Sequence, residues 1–263
     1  YQFRSLLKAL PDDSGGTAAA AAPAPGGTGD LFSEARPSEQ DHAAQASDYQ
    51  TITTWSDFDA WLARIEQAEL TALDTATTSL NPLQARILGI SLSVQAGQAA
   101  YIPLGHEAPE SPEQLPLDEV LQRLRPWLED ASKPKLGQNI KYDRHVLANH
   151  GIEVRGYIHD TMLQSYVLEA HKPHGLESLA ERHIQRRGLS YEDLCGKGAS
   201  QIPFSQVPVG QATVYACEDS DFALQVHQTL WPQLEKEDKL RRIYELEIEA
   251  SEVLFRIERN GVQ

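Results

Sequence analysis

The stretch Leu70-Thr71-Ala72-Leu73-Asp74-Thr75-Ala76-Thr77 decides how the rest of the chain is read. Leu70 to Leu73 is short and mostly apolar, which suits a strand buried on both faces. Asp74 is expected to end that run. A carboxylate at the tip of a buried strand loses hydration and needs a partner, a donor or a metal. Taken alone, Asp74 reads as a cap of the next turn; two acidic motifs farther along change that weighting. Residue 76 shares a face with Asp74, because strand side chains repeat with period two. A metal site here calls for a second carboxylate at 76, and the sequence has Ala76.

Working outward, Thr51-Ile52-Thr53 reads as a strand. Ser56 followed by Asp59 is a capping pattern, and Phe58, Trp61, Leu62 and Ile65 follow at helical spacing. Beyond the central stretch, Leu88, Ile90, Leu92 and Val94 alternate with polar or small residues, the pattern of a half-buried strand. Gly97 marks a turn into Ala100-Tyr101-Ile102-Pro103-Leu104, the second arm of a hairpin. Leu117, Val120, Leu121, Leu124 and Leu128 form a helix ridge. Lys135 to Asn139 is a short strand, and Lys141 to Asn149 a helix stopped by Gly151. Asp160 caps a helix over Thr161–Glu169. Further helices are expected over 176–185, 209–230 and 237–258. Strands with helices packed on them make an α/β layer domain.

The flanks read differently. Tyr1 to Leu10 is a helix fragment at most. Pro11 to Asp48 carries Gly15-Gly16, alanines at 18–22 and Pro23-Ala24-Pro25, with few large apolar residues, so it is a linker. The first residue is Tyr, not Met, and a piece of a longer protein is expected. The net charge of −15 argues against a broad basic nucleic-acid footprint. Acidic side chains hold divalent cations, which then supply the positive charge a phosphate needs. Two cysteines, no zinc spacing, no signal peptide and no apolar run of membrane length lead to the expectation of a reduced, cytoplasmic protein without a membrane partner.

Three acidic motifs occur in order. The first is Asp74 with its vacant partner position. The second is Asn139-Ile140-Lys141-Tyr142-Asp143, where a strand end turns into a helix. The third is Tyr215-Ala216-Cys217-Glu218-Asp219, in which Tyr215 and Asp219 share one helix face. Each acid alone reads as an exposed or capping residue. All three together, each at an element end or on one face, point to a single site. Carboxylates without Cys or His suit hard cations such as Mg²⁺ or Mn²⁺. Two such ions, about 3.5–4 Å apart, activate water and stabilise the leaving oxygen of a phosphodiester.

The chain resembles the 3′–5′ proofreading exonuclease domains of bacterial DNA polymerase I, in the Tyr branch of the DEDD exonuclease superfamily. The resemblance covers about Tyr49 to Glu235. It rests on Leu73-Asp74-Thr75, Ala100-Tyr101-Ile102-Pro103, Gly137-Gln138-Asn139-Ile140-Lys141-Tyr142-Asp143, Asp160-Thr161-Met162-Leu163, Leu176-Glu177-Ser178-Leu179-Ala180-Glu181-Arg182, Gly196-Lys197-Gly198 and Tyr215-Ala216-Cys217-Glu218-Asp219-Ser220-Asp221. It implies a ribonuclease H-like fold, a mixed central sheet flanked by helices. It also implies that residues 1–10 end a preceding 5′-nuclease region and that 236–263 open a polymerase region. Asp74 then bridges two divalent cations, Asp219 ligates the tightly held one, and Asp143 holds the second largely through water. Tyr215 positions the attacking water. Leu80, Asn139, Tyr142 and Tyr191 hold the 3′-terminal nucleotides of single-stranded DNA, as a wedge, an amide and stacking rings. The adjoining polymerase domain is the expected partner, in a monomer.

One residue departs from the family. Its motif runs Asp-Thr-Glu-Thr, and this chain reads Asp74-Thr75-Ala76-Thr77. The missing glutamate is a ligand of the first metal, so reduced activity is expected, whether the alanine is an engineered knock-out or a natural substitution. Two rival readings stand beside this one: an RNA-trimming exonuclease, and a non-catalytic scaffold that binds single strands and spaces the polymerase.

Overall fold

The computed structural model describes residues 47–261. The Tyr1–Leu10 fragment and the linker as far as residue 46 lie outside the described residues. Asp48, assigned above to the linker, opens the first strand.

The described chain runs β1 (Asp48–Thr51), α1 (Trp55–Gln67), β2 (Thr71–Thr77), β3 (Ile87–Gln95), β4 (Gln98–Pro103), α2 (Leu117–Leu128), β5 (Lys135–Gly137), α3 (Ile140–Asn149), β6 (Tyr157–Asp160), α4 (Thr161–Leu168), α5 (Leu176–Ile184), α6 (Tyr191–Cys195), α7 (Val209–Glu235) and α8 (Asp238–Asn260). The strands form one mixed sheet in the order β1-β4-β3-β2-β5-β6. β3 is antiparallel to β2 and β4, whereas β5 is parallel to β2 and β6, and β1 is parallel to β4. This is the expected mixed sheet with helices on its faces.

Two cores explain the layers. On one face, Leu73, Ile90, Leu92 and Ile102 meet Phe58, Trp61 and Ile65 of α1, Leu121, Leu124 and Trp127 of α2, and Val146 and Leu147 of α3. On the other, Ala99 and Tyr101 meet Ala212, Ala216 and Cys217 of α7, while Ala72 and Leu136 meet Ala223 and Leu224. The second face is built from small residues, so α7 lies close to the strands. Both cysteines are free and buried. Tyr101 uses the extra room. A Cβ at Gly89 would fall 2.1 Å from its hydroxyl oxygen, so its side chain occupies the space that Gly89 leaves.

Several expectations are corrected. The first strand lies at Asp48–Thr51, not 51–53, because its ladder partners are Gln98–Tyr101; Ile52 is a buried plug just after it. The cap of α1 is Thr54, extended and accepting from the Asp57 amide at 3.2 Å, and Ser56 is already inside the helix. β3 is buried on both faces rather than half-buried, because α7 covers its small residues. α7 continues through Pro232 to Glu235 instead of stopping at 230; buried Leu230 and Leu234 anchor its last turns. Most important, Asp74 does not end its strand. β2 continues in register with β3, Asp74 opposite Ser91 and Ala76 opposite Gly89.

β2 pairs with β5 only at Thr71 and Ala72. From Leu73 onward it overhangs its parallel neighbour, and the first turn of α3 fills the notch. The last helix, α8, lies on α3, α4, α7 and β6. Tyr244 is its buried anchor, and Glu258 reaches Lys141 and His145 of α3. Among the described residues no helix is long and apolar enough to cross a membrane.

Candidate active site

The overhang of β2 sets the geometry. Backbone groups beyond Ala72 face a position that β5 does not reach, and buried N–H groups need acceptors. Asp143, on the first turn of α3, supplies one. Its Oδ1 accepts from the Thr75 amide at 3.1 Å and from the Thr75 hydroxyl at 2.6 Å. The second acidic motif is thereby fastened to the first.

Asp74 and Ala76 share the face of Ala72, which meets α7. Asp219 and Tyr215 approach from that helix. Asp74 stands at the centre electrostatically, its charge bearing on Asp143 and on Asp219. Burial raises the Asp74 carboxyl to about 6, partly offset by the Thr75 amide. Burial and then the Asp74 charge push Asp143 and Asp219 well above the ordinary carboxylate range. Tyr215 faces Asp219, and that charge, followed by burial, pushes its phenol far upward, so it stays a neutral hydroxyl. Among the described residues no ion pair involves Asp74, Asp143 or Asp219.

The expected substrate residues occupy distinct places. Asn139 precedes α3 in a left-handed conformation, φ 62°. The Tyr142 hydroxyl pairs with Thr77 and donates to the Ser79 carbonyl at 2.6 Å, fastening the loop that carries Leu80. Leu80 itself is 95% exposed. Tyr191, at the start of α6, stacks on Phe204 with centroids 6.3 Å apart, and Phe204 also touches Tyr215 at 5.8 Å. Ala76 packs its methyl against the cluster containing Tyr101, Phe204 and Tyr215.

Four contributors escaped the sequence reading. Thr75 holds Asp143, although it sits inside the first motif. Glu177, in the first turn of α5, bears electrostatically on Tyr215 and Asp219; it lies within a quoted motif but had no role. Phe204 joins two predicted tyrosines, and no spacing marked it. Ser91 lies directly across from Asp74, is 1% exposed, and its hydroxyl oxygen has no hydrogen-bond partner.

The donor set fits a hard cation in kind. It is all oxygen, its carboxyls are held toward the neutral form for want of positive charge, and an orphaned hydroxyl sits beside Asp74. It is incomplete in number. Among the described residues no three His, Cys, Asp or Glu side chains gather closely enough to hold a metal ion by themselves.

The mixed sheet with its carboxylates at the β2 overhang defines a ribonuclease H-like α/β domain. Solved structures share this fold. The POL domain of Pol1 from M. smegmatis, in complex with DNA primer-template and dNTP, aligns with TM-score 0.61 at 20% identity over 81% of this chain and 32% of that one. Escherichia coli RNase D aligns with TM-score 0.59 at 18% identity over 80% and 51%. Brucella melitensis NrnC, solved also with bound Mg²⁺, gives 0.58 at 20% identity over 82% and 93%. Residues 49–235 match the family model described as 3′–5′ exonuclease, and the chain belongs to that family, the exonuclease domains of DNA polymerase I. It is 44% identical over 241 residues to DNA polymerase I of Pseudomonas aeruginosa, covering 88% of this chain and 26% of that protein. With DNA polymerase I of Rhizobium leguminosarum the identity is 36%, over 84% and 23%. The chain spans about a quarter of the length of these relatives.

Proposed function

We propose that residues 49–235 are the proofreading exonuclease module of a DNA polymerase I, removing nucleoside 5′-monophosphates from DNA 3′ ends, and that Ala76 cripples hydrolysis. One observation carries this reading. The charge of Asp74, on a strand that overhangs its neighbour, bears on both Asp143 and Asp219, and among the described residues none of these three buried or half-buried carboxyls has an ion-pair partner. Such a site calls for divalent cations, two Mg²⁺ or Mn²⁺, held by Asp74, Asp143 and Asp219. When bound, they supply the charge that activates water and stabilises the leaving oxygen.

The chain's own residues do the rest. Thr75 holds Asp143 in a single orientation. Tyr215 remains protonated and orients the attacking water through its hydroxyl. Asn139, Tyr142, Leu80 and Tyr191 grip the terminal nucleotides. Residues 236–263 open the polymerase region, the module's partner in the longer protein.

A second reading is favoured by the Ala76 methyl within the Tyr101–Phe204–Tyr215 cluster and the absence of a ready three-carboxylate cage among the described residues. In it, the module binds single strands without cutting them. Single-turnover hydrolysis of 3′-labelled DNA and RNA, by the chain and by Ala76→Glu across a Mg²⁺ series, separates the readings. Metal-dependent DNA hydrolysis that rises sharply in Ala76→Glu supports the exonuclease. Equal rates sink the assignment of this site, metal-independent binding without cutting in both proteins supports the scaffold, and preference for RNA ends overturns the DNA substrate.

A further inference from the structure

The helix that presents Asn139, Tyr142 and Asp143 has no cap of its own. Asn139 occupies the N-cap position with φ 62° and ψ 53°, and its side chain makes no capping bond. A left-handed non-glycine residue needs surroundings that hold it there, and the first N–H groups of a helix need acceptors. Both needs are met from β6, about twenty residues on. Asp160 is 1% exposed. Its Oδ1 accepts from the Asn139 amide at 3.0 Å and from the Met162 amide at 2.9 Å. Its Oδ2 accepts from the Ile140 amide at 2.9 Å. One carboxylate therefore caps α3 and α4 together, and its charge favours both N-termini.

The same turn is held at neighbouring points. The Thr161 hydroxyl lies 3.2 Å from the Gly137 carbonyl and 2.5 Å from Gln138 Oε1, while Gln138 Nε2 donates to the His174 carbonyl at 2.8 Å. Behind it, the Asp160 amide donates to the Tyr244 hydroxyl of α8 at 2.9 Å. A helix moves as a unit, so displacing its capped end displaces Tyr142 and Asp143 as well. Asp143 is fixed at its far side to Thr75, leaving little slack.

We propose that Asp160 is a positioning residue for the exonuclease site. Its shared cap sets the left-handed turn at Asn139 and, through α3, the placement of Asp143 against β2. Tyr244 fixes Asp160 from behind. The Asn139 side-chain carboxamide, which makes no capping bond, is then available to a 3′-terminal nucleotide. This inference rests on the exonuclease reading for its catalytic half and on geometry alone for its structural half.

The test uses the full chain, with and without Ala76→Glu. Asp160→Asn keeps the shape but turns one acceptor oxygen into a donor facing an N–H. Tyr244→Phe leaves the carboxylate and removes the hydroxyl behind it. Hydrogen–deuterium exchange should accelerate over residues 137–143 in Asp160→Asn and remain unchanged in α7. In the Ala76→Glu background, the single-turnover rate at saturating DNA should fall about 10- to 100-fold, the usual effect of losing an outer partner of a metal site. In the Ala76 chain, affinity for a single-stranded 3′-hydroxyl end should weaken severalfold. Unchanged exchange over 137–143 overturns the proposal, and so does faster exchange with unchanged affinity and rate. If Ala76→Glu itself does not hydrolyse DNA, the exonuclease reading falls, while the exchange and affinity measurements still decide Asp160. If Asp160→Asn does not fold, Tyr244→Phe decides: a smaller loss of affinity and faster local exchange support the proposal, and wild-type behaviour overturns it.

Discussion

The carboxylates at the β2 overhang and the histidines beneath α8 answer the same burial in opposite ways. His159 and His227 lie with ring centroids 4.2 Å apart, beside Trp231 and Tyr244, with Gln164 Nε2 2.9 Å from the His227 Nδ1. Burial lowers His159 to about 4, and burial together with His159 lowers His227 to about 3. Burial raises Asp74 to about 6 and lifts Asp143 and Asp219 further from the ordinary range. Both sets are driven toward neutrality. The histidines are sealed and remain neutral as packing elements. Asp74 and Asp219 are only half-buried, so a cation from solvent can compensate them. Asp143 is as buried as the histidines, so it is access at Asp74 and Asp219 that sets the acidic group apart.

The most severe way to break that contrast is to neutralise one carboxylate. A metal's charge supplies several kcal/mol of transition-state stabilisation, and 1.36 kcal/mol is a tenfold rate change. Asp219→Asn in the Ala76→Glu background should therefore cut the single-turnover rate about 10³-fold. Without metal at pH 8, the same change should raise the denaturation midpoint, because it removes a like charge facing Asp74. A lowered midpoint would mean that Asp219 is a structural acid.

Acid titration sharpens the contrast next. The folded-state pKa of His159 lies below the unfolded value near 6.5, so the unfolded chain takes protons first as pH falls. Its contribution is complete above about 6.5 and is lost down to about 4, amounting to about 3 kcal/mol. Asp74 acts with the opposite sign: its folded pKa is raised, so its penalty is present above about 6 and relieved as pH falls toward 3.8. In urea denaturation between pH 7 and 4, His227→Gln should flatten the acid limb and Asp74→Asn should steepen it. Parallel limbs in all three proteins would remove the distinction.

Replacing Tyr191 by Ala tests the exposed rim of the site. Loss of one stacking ring should weaken binding of a single-stranded 3′ end by about 1–3 kcal/mol, read by fluorescence titration. Unchanged affinity would leave Tyr191 as a packing partner of Phe204. The smallest effect is expected far from both regions. Thr54→Ala removes the cap of α1 and should cost about 1 kcal/mol of stability, with no change in the rate measured for Ala76→Glu.

Much of this arrangement was legible because its signals are local. The alternation Leu88–Val94, the ridge Leu117–Leu128 and the cap at Asp160 depend on neighbouring residues, and each element appears with only small shifts. The reading of Asp74 as a strand tip failed because strand length is set by pairing. Antiparallel β3 extends β2 through Thr77, and nothing within 70–77 reports that partner. β3 was read as half-buried because its Gly and Ser positions look exposed in sequence; they are covered by the small face of α7. The shared cap at Asp160, the orphaned Ser91 hydroxyl and the bridging Phe204 ring are contacts between distant segments, invisible to periodicity. The three acidic motifs were legible as a set, and the structure adds the order of their coupling, with Asp74 in the middle.

Gly89 and Tyr101 cannot change independently. Any side chain at 89 meets the phenol ring, and trimming the ring first leaves a void beneath β3. Gly89 sits opposite Ala76 across the β2–β3 ladder, so a change at Gly89 beside the carboxylates must cross a valley of poorer packing. Glutamate at 76 requires one substitution, made where the Ala76 methyl packs against the Tyr101–Phe204–Tyr215 cluster. Rebuilding the floor under it requires two at once. Along this strand pair residue 76 can change alone, and the plain glycine opposite it is the residue that history can least easily revise.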